Sequence, residues 1–485
     1  MHYTITPEPT KGILHIELTV TNIDSPTLEL QLPAWRPGRY ELANFAKNLL
    51  RLAVFQENGN ALAFEKITKD RWRVHLNGAS EITVRYGYYA RQMDAGGSWV
   101  DENQVYINFI NCLIYAEGYL DEACEVVLKL PDNYQLACGL PCPQKHVLTA
   151  VSYYRLVDSP LFASSTLAHL SYQVNNSTFH VWIQGEVNLD REKLVNDFQG
   201  FTQVQTDMLG GFPDPEYHFL LQALPFQHYH GVEHWNSTVM TLGPTEKISN
   251  ELYSELIGLA SHELFHVWNV IRIRPAELLP YDFTGENYFP TGYVAEGLTT
   301  YYGDLFMARS GFFTPEQFLA ELTRTFNRHF MLSNTAALSL TQSSFDLWLD
   351  GYTAGVPGRK VSIYHKGALA ALILDIEIRK ETNNQRSLDN IVQLLWERFG
   401  KRNIGYSHED YVQLAEEVAG KSLLDYFNEC ITGTTPLQQR LAEALAYIGC
   451  ELEAAPVAEN PGNISIRIVQ REVNENFLRW LGRRG

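Results

Sequence analysis

Ser261-His262-Glu263-Leu264-Phe265-His266-Val267-Trp268-Asn269 carries an H-E-x-x-H motif near the end of a run, residues 251–270, whose apolar spacing predicts a helix. Residues four apart stand one above the other on a helix face, so His262 and His266 can address one ion. Glu263 is turned about a third of a revolution away. From there it can reach a water on that ion without ligating it. Two imidazoles on zinc and a neighbouring carboxylate base make the arrangement for metal-assisted hydrolysis. The motif alone equally fits an amphipathic helix with two ordinary, partly buried histidines, so its companions decide.

Two imidazoles leave a zinc ion under-coordinated, and a hydrolytic site keeps three protein ligands. Three glutamates follow. Glu277, after Pro275, and Glu286, in Thr284-Gly285-Glu286-Asn287, read as loop. Glu296 lies in Gly292-Tyr293-Val294-Ala295-Glu296-Gly297-Leu298, which continues as a predicted helix to about Arg309. A carboxylate among apolar and small neighbours is costly unless a cation neutralises it. Zinc does so; the alternative is a salt bridge to an arginine.

Two further stretches offer chemistry. Ser362-Ile363-Tyr364-His365-Lys366-Gly367 opens a long apolar helix, and a phenol there is able to stabilise an oxyanion without adding a metal ligand. A tyrosine at a helix start is also ordinary packing. Residues 217–224 read as a buried strand, followed by Tyr229-His230-Gly231-Val232-Glu233-His234. Gly231 beside acidic and aromatic residues points to a close backbone approach by a ligand, and Glu233 to a positively charged group. The competing reading is an edge strand whose charges face water.

Taken together, His262-Glu263-x-x-His266-x-Trp268-Asn269, Val294-Ala295-Glu296-Gly297, Tyr364-x-Lys366-Gly367 and Gly231-Val232-Glu233-His234 resemble the glycyl aminopeptidase family of zinc metallopeptidases. These are relatives of aminopeptidase N with a thermolysin-like catalytic domain. The gap between His266 and Glu296 suits that family better than aminopeptidase N itself, whose gap is shorter. Arg272, Arg274-Pro275 and the N-terminal Pro33-Ala34-Trp35-Arg36-Pro37-Gly38-Arg39-Tyr40 look like the family too, so the similarity spans roughly residues 1–450.

The resemblance implies one zinc ion on His262, His266 and Glu296, with Glu263 as general base and Tyr364 as oxyanion donor. It implies that Glu233, with Gly231 beside it, receives the free amino group of a peptide substrate. The expected activity is removal of N-terminal residues, small ones such as Gly or Ala preferred. Two alternatives stay open: an endopeptidase with the same zinc site, and a non-catalytic peptide-binding protein on a peptidase scaffold. Family members usually end in a PDZ domain. Too few residues follow Cys450 for that module, so residues 436–485 are expected to form a helix and a short β remnant or hairpin.

Composition fits a globular enzyme: 485 residues, 45% hydrophobic and 19% charged, enough for more than one core. A formal net charge of −18 argues against nucleic acid as a partner. No basic stretch followed by an apolar one opens the sequence, and no apolar run reaches membrane-spanning length. The expectation is a cytoplasmic protein that engages no membrane. Six cysteines make no disulfide framework, and the spacing of Cys138 and Cys142 suits neither a redox pair nor a zinc finger.

The coarse pattern is multidomain α+β. Residues 1–170 alternate apolar and polar in short runs, such as 12–20, 27–32, 71–76 and 81–86, as a β-sandwich does. Residues 171–435 are expected to form a mostly helical, thermolysin-like domain with a small sheet, its helices falling near 190–209, 246–270, 291–309, 315–330, 361–380, 387–399 and 407–419.

Overall fold

The computed structural model describes residues 1–332, 338–353, 355–457 and 460–483. The chain folds into two compact units, interleaved in sequence. The first comprises residues 1–191, 214–253 and 282–286; the second comprises 192–213, 254–281 and 287–485.

The first unit is built from sheets. Its largest has six strands, in the order Val147–Ala150, Cys124–Leu128, His2–Glu8, Ile13–Val20, Ile82–Tyr89, Leu49–Gln56. In Ile13–Val20 the predicted alternation holds: Leu14, Ile16, Leu18 and Val20 are buried, and the residues between them keep exposure. Antiparallel register sets Ile16 opposite Tyr86 and Leu18 opposite Val84, so both strands bury the same face.

A second sheet of this unit lies later in the chain. Its order is Ala168–Val174, Ser177–Gln184, Glu216–Ala223, Ser237–Gly243, His228–His234. The three central strands run parallel and the two outer strands antiparallel. Glu216–Ala223 is buried at every position after Glu216, and Ser237–Gly243 throughout. That explains their near-continuous apolar and small residues, the pattern of strands covered on both faces. Leu220, Val232 and Val239 of this sheet share a buried cluster with Tyr106 and Phe162.

The second unit is helical. At its centre His365–Glu381 is buried along most of its length. Its one fully enclosed carboxylate, Asp375, accepts hydrogen bonds from Tyr301 Oη (2.7 Å), Arg379 Nε (3.0 Å) and the Leu388 amide (3.0 Å). A buried charge with that many donors is compensated rather than orphaned. Leu388–Arg398 and His408–Ala419 begin at Ser387 and Ser407, each in a reciprocal capping box. Near the C-terminus Cys450–Val457 and Asn460–Gln470 form a hairpin. The side chain of Asn327, on Pro315–Leu332, bonds both the amide and the carbonyl of Ile466 at 2.8 Å, and Thr323 accepts from the Ile468 amide. Helix side chains thereby close a strand edge that would otherwise stay open.

Among the described residues no helix is long and apolar enough to cross a membrane. All six cysteines are free, and only Cys142 is exposed.

Candidate metal and catalytic centre

The helix that carries the motif is Tyr253–Phe265, shorter than the 251–270 run predicted. It buries Leu256, Ile257, Leu259, Ala260, Leu264 and Phe265. The chain turns out of the helix at Phe265, so His266 is the first residue past its end. The Val267 and Trp268 amides bond the carbonyls of Leu264 and Phe265, three residues back, and the Ile271 amide reaches the His266 carbonyl. A tight turn of this kind finishes many helices.

Leaving the helix fixes the second imidazole. His266 Nδ1 lies 2.7 Å from the Asn269 carbonyl oxygen, to which it must donate. That sets the tautomer, so Nε2 carries a lone pair. His262 Nε2 is 3.0 Å from His266 Nε2, and Glu296 Oε2 is 3.6 Å from the same atom. One ligand atom from each of the three lies within 4.8 Å of the others. Burial, then the neighbouring His266, lower the pKa of His262 well below its ordinary value, so its ring is neutral as a metal ligand requires.

These residues fit a zinc ion. Two nitrogens on one tetrahedral zinc stand about 3.3 Å apart, given bonds of ~2.0–2.1 Å. The observed 3.0 Å between the two Nε2 atoms is close to that separation. Glu296 is 3% exposed among apolar residues, which again calls for a positive partner.

Glu296 does not sit on the regular helix predicted for it. Tyr293–Leu298 is a π-helical turn, and the α-helix starts at Thr299 and runs to Arg309. Such single-turn insertions collect at functional sites because they re-aim one side chain. The distortion is held from outside. Asn269 Nδ2 donates to the carbonyls of Val294 (2.8 Å) and Ala295 (3.2 Å) and to Thr299 Oγ1 (3.0 Å). Asn269 thus ties the turn after the second histidine to the turn carrying the glutamate. Its motif position was visible in the sequence, but that role was not.

Glu263 is 4% exposed and brings a carboxylate oxygen within 4.8 Å of a His266 ring nitrogen. Tyr364 is the N-cap of His365–Glu381 and is half-buried. Its placement relative to Glu296 depends on two glycines. A Cβ on Gly297 would come 2.5 Å from Gly367 Cα and 2.6 Å from the Ile363 carbonyl oxygen. A Cβ on Gly367 would come 2.8 Å from Gly297 Cα. The π-helical turn and the helix behind Tyr364 therefore touch backbone to backbone, next to Glu296 and Tyr364.

Gly231 and Glu233 belong to the first unit, on the strand His228–His234 at one edge of its sheet. The strand is an edge, as the blander reading had it, yet Glu233 does not face water: it is 7% exposed. Gly38, in the Pro33–Tyr40 segment, has φ +75°, and a Cβ there would lie 2.7 Å from Glu233 Oε2. Only glycine lets the chain pass so close in that conformation.

Comparison with known proteins agrees with this picture. The model of the peptidase M61 N-terminal domain matches residues 2–165, and that of M61 glycyl aminopeptidase matches residues 255–370. A search of curated proteins gives no match. Among solved structures, an aminopeptidase N family protein from Idiomarina loihiensis superimposes with a TM-score of 0.88 at 27% identity, covering 93% of this chain and 79% of its own. An M1 zinc metallopeptidase mutant from Deinococcus radiodurans, bound to a Tyr-Ser-Ala substrate, gives a TM-score of 0.55 at 16% identity, covering 90% of this chain and 94% of its own. The second likeness speaks for fold alone. The two family models span more than half the sequence, and the catalytic one contains His262, Glu263, His266, Glu296 and Tyr364: the chain belongs to the M61 glycyl aminopeptidase family.

Proposed function

We propose that the protein is a zinc-dependent aminopeptidase that removes small residues, Gly or Ala, from the free N-terminus of peptides. The observation that carries this reading is the convergence of His262, His266 and Glu296, with Glu263 beside them, inside the segment that matches the family's catalytic model.

His262, His266 and Glu296 would hold one zinc ion. When bound, it supplies a Lewis acid that polarises the scissile carbonyl and makes a water acidic enough to be deprotonated near neutral pH. Glu263 takes the proton from the attacking water and returns it to the leaving amine. Its closeness to His266 sets it beside the reacting atoms, and its burial keeps competing water away. The Tyr364 hydroxyl donates to the oxygen that becomes negative as water adds. Glu233 pairs with the substrate's ammonium group, and the Gly38 backbone closes over that carboxylate. A carboxylate in that role favours a free amine over a blocked one. A cytoplasmic location belongs to the same reading; it rests on cysteines that are all free.

The test is a panel of aminoacyl-arylamides set beside N-acetylated peptides, with and without chelator. The reading requires glycyl or alanyl substrates to be cleaved, chelator to abolish cleavage and zinc to restore it. N-acetylated peptides cleaved as fast as free ones would overturn it in favour of an endopeptidase.

A further inference from the structure

A second cluster of metal-ligand residues lies on the sheet of the first unit. Ser177–Gln184 and Glu216–Ala223 run parallel, with His180 directly opposite His218. Register partners share a face, and Glu216 and His218, two apart on one strand, share it too. The two rings stack with centroids 4.8 Å apart, and Glu216 Oε2 is 3.8 Å from His218 Nε2. One ligand atom from each of His180, Glu216 and His218 lies within 4.8 Å of the others.

We propose that His180, Glu216 and His218 form a second metal site, for a zinc, nickel or copper ion, separate from the His262 cluster. Two imidazoles and one carboxylate are the donor set such borderline ions prefer. His180 is set up for ligation. Its Nδ1 lies 2.9 Å from His169 Nε2, while its own Nε2 is buried with no hydrogen-bond partner among the described residues. If Nδ1–H donates to His169, Nε2 presents a bare lone pair, as in metal sites where a neighbour holds the far nitrogen of a ligand histidine. Burial first, then the neighbouring His180, His169 and Arg155, push the pKa of His218 down to about 3, and burial also lowers that of His180. The side chain of Glu216 is 58% exposed, which leaves an ion a way in.

Two things must change on binding: the His180 and His218 rings, now 15° from parallel, must turn so that their lone pairs converge, and one hydrogen bond must break. Trp182 Nε1–H donates to His218 Nδ1 at 3.1 Å, which puts the ring proton on Nε2. Coordination through Nε2 moves that proton to Nδ1 and breaks the tryptophan bond. Trp182, stacked on His169 at 3.8 Å, therefore reports the event by its emission.

The experiment is a Ni2+ titration of the full-length protein as purified, by equilibrium dialysis and tryptophan emission. The wild type is compared with His180→Ala, Glu216→Gln and His169→Ala. The wild type should bind one equivalent more than His180→Ala, and Glu216→Gln should lose most of that binding. His169→Ala should weaken it roughly 10- to 100-fold, as loss of a group behind a ligand does. The emission change should vanish in His180→Ala, while arylamide hydrolysis stays at the wild-type level in all three. Glu216→Gln replaces an exposed side chain, so its fold is safe if His180→Ala is unstable. Equal stoichiometry and affinity in the wild type and Glu216→Gln overturns the proposal, whatever ion the His262 cluster holds.

Discussion

The helical unit and the sheet unit each assemble two histidines and a glutamate, by opposite routes. In the helical unit His262, on the last turn of Tyr253–Phe265, meets His266, the first residue past its end, and a π-helical turn adds Glu296. His266 and Glu296 are buried and His262 is half-buried, and Asn269 braces the arrangement. In the sheet unit the histidines come from strands far apart in sequence, matched by register, and the carboxylate is open to solvent. The difference separates a site proposed for turnover from one proposed only to bind. The first has an enclosed base and a tyrosine on the adjoining helix, whereas the second has three ligand candidates and a tryptophan.

That contrast can be broken by mutation. The largest effect should come from Glu263→Gln, because the amide cannot accept the proton. Turnover should fall by roughly 10²–10⁴, the usual value of general-base help. Zinc content and melting temperature should stay at wild-type values; a loss of zinc instead would make Glu263 a ligand. Tyr364→Phe should cost about 10²–10³, mainly in kcat, as the loss of one oxyanion donor does. If steady-state kinetics show only KM rising, the tyrosine binds substrate and its assigned role is wrong.

Glu233→Ala sharpens the comparison from the sheet unit. Removing a charged hydrogen bond of about 1.5–3 kcal/mol should lower kcat/KM on free aminoacyl-arylamides by roughly 10- to 150-fold. N-acetylated substrates should be poor for both enzymes and nearly unchanged by the mutation. A uniform loss on both substrate types would make Glu233 structural. Smaller in energy is Gly297→Ala. Forcing a methyl against Gly367 and the Ile363 carbonyl should cost about 1–3 kcal/mol of stability, read as a lower denaturant midpoint. The same push should separate Glu296 from Tyr364, so kcat should fall more than KM changes.

Local chemistry was legible in the sequence, and long-range chemistry was not. His262, Glu263 and His266 sit within five residues, so helical spacing pointed to them as a group, and Glu296 stood out as a carboxylate among apolar neighbours. The alternation in Ile13–Val20 was equally readable. The helix was drawn too long because His266-Val267-Trp268-Asn269 is apolar enough to continue it. No composition signal announces that the His266 ring prefers the Asn269 carbonyl. The π-helical turn depends on a side chain 25 residues upstream, beyond any local pattern. His180 and His218 were invisible as a pair, since only the register of two parallel strands makes them neighbours. Glu233 read equally well as a solvent-facing charge, until the approach of Gly38 showed it enclosed.

The central claim is that His262, His266 and Glu296 hold the catalytic ion. It is tested most directly by zinc content after dialysis against limiting chelator. The comparison is His180→Ala alone with His180→Ala combined with Glu296→Ala, so that the sheet cluster contributes to neither. About one zinc per chain is expected in the first, as three protein ligands on one ion require, and nearly none in the second. Full zinc in the combined variant would contradict it and remove Glu296 from the site.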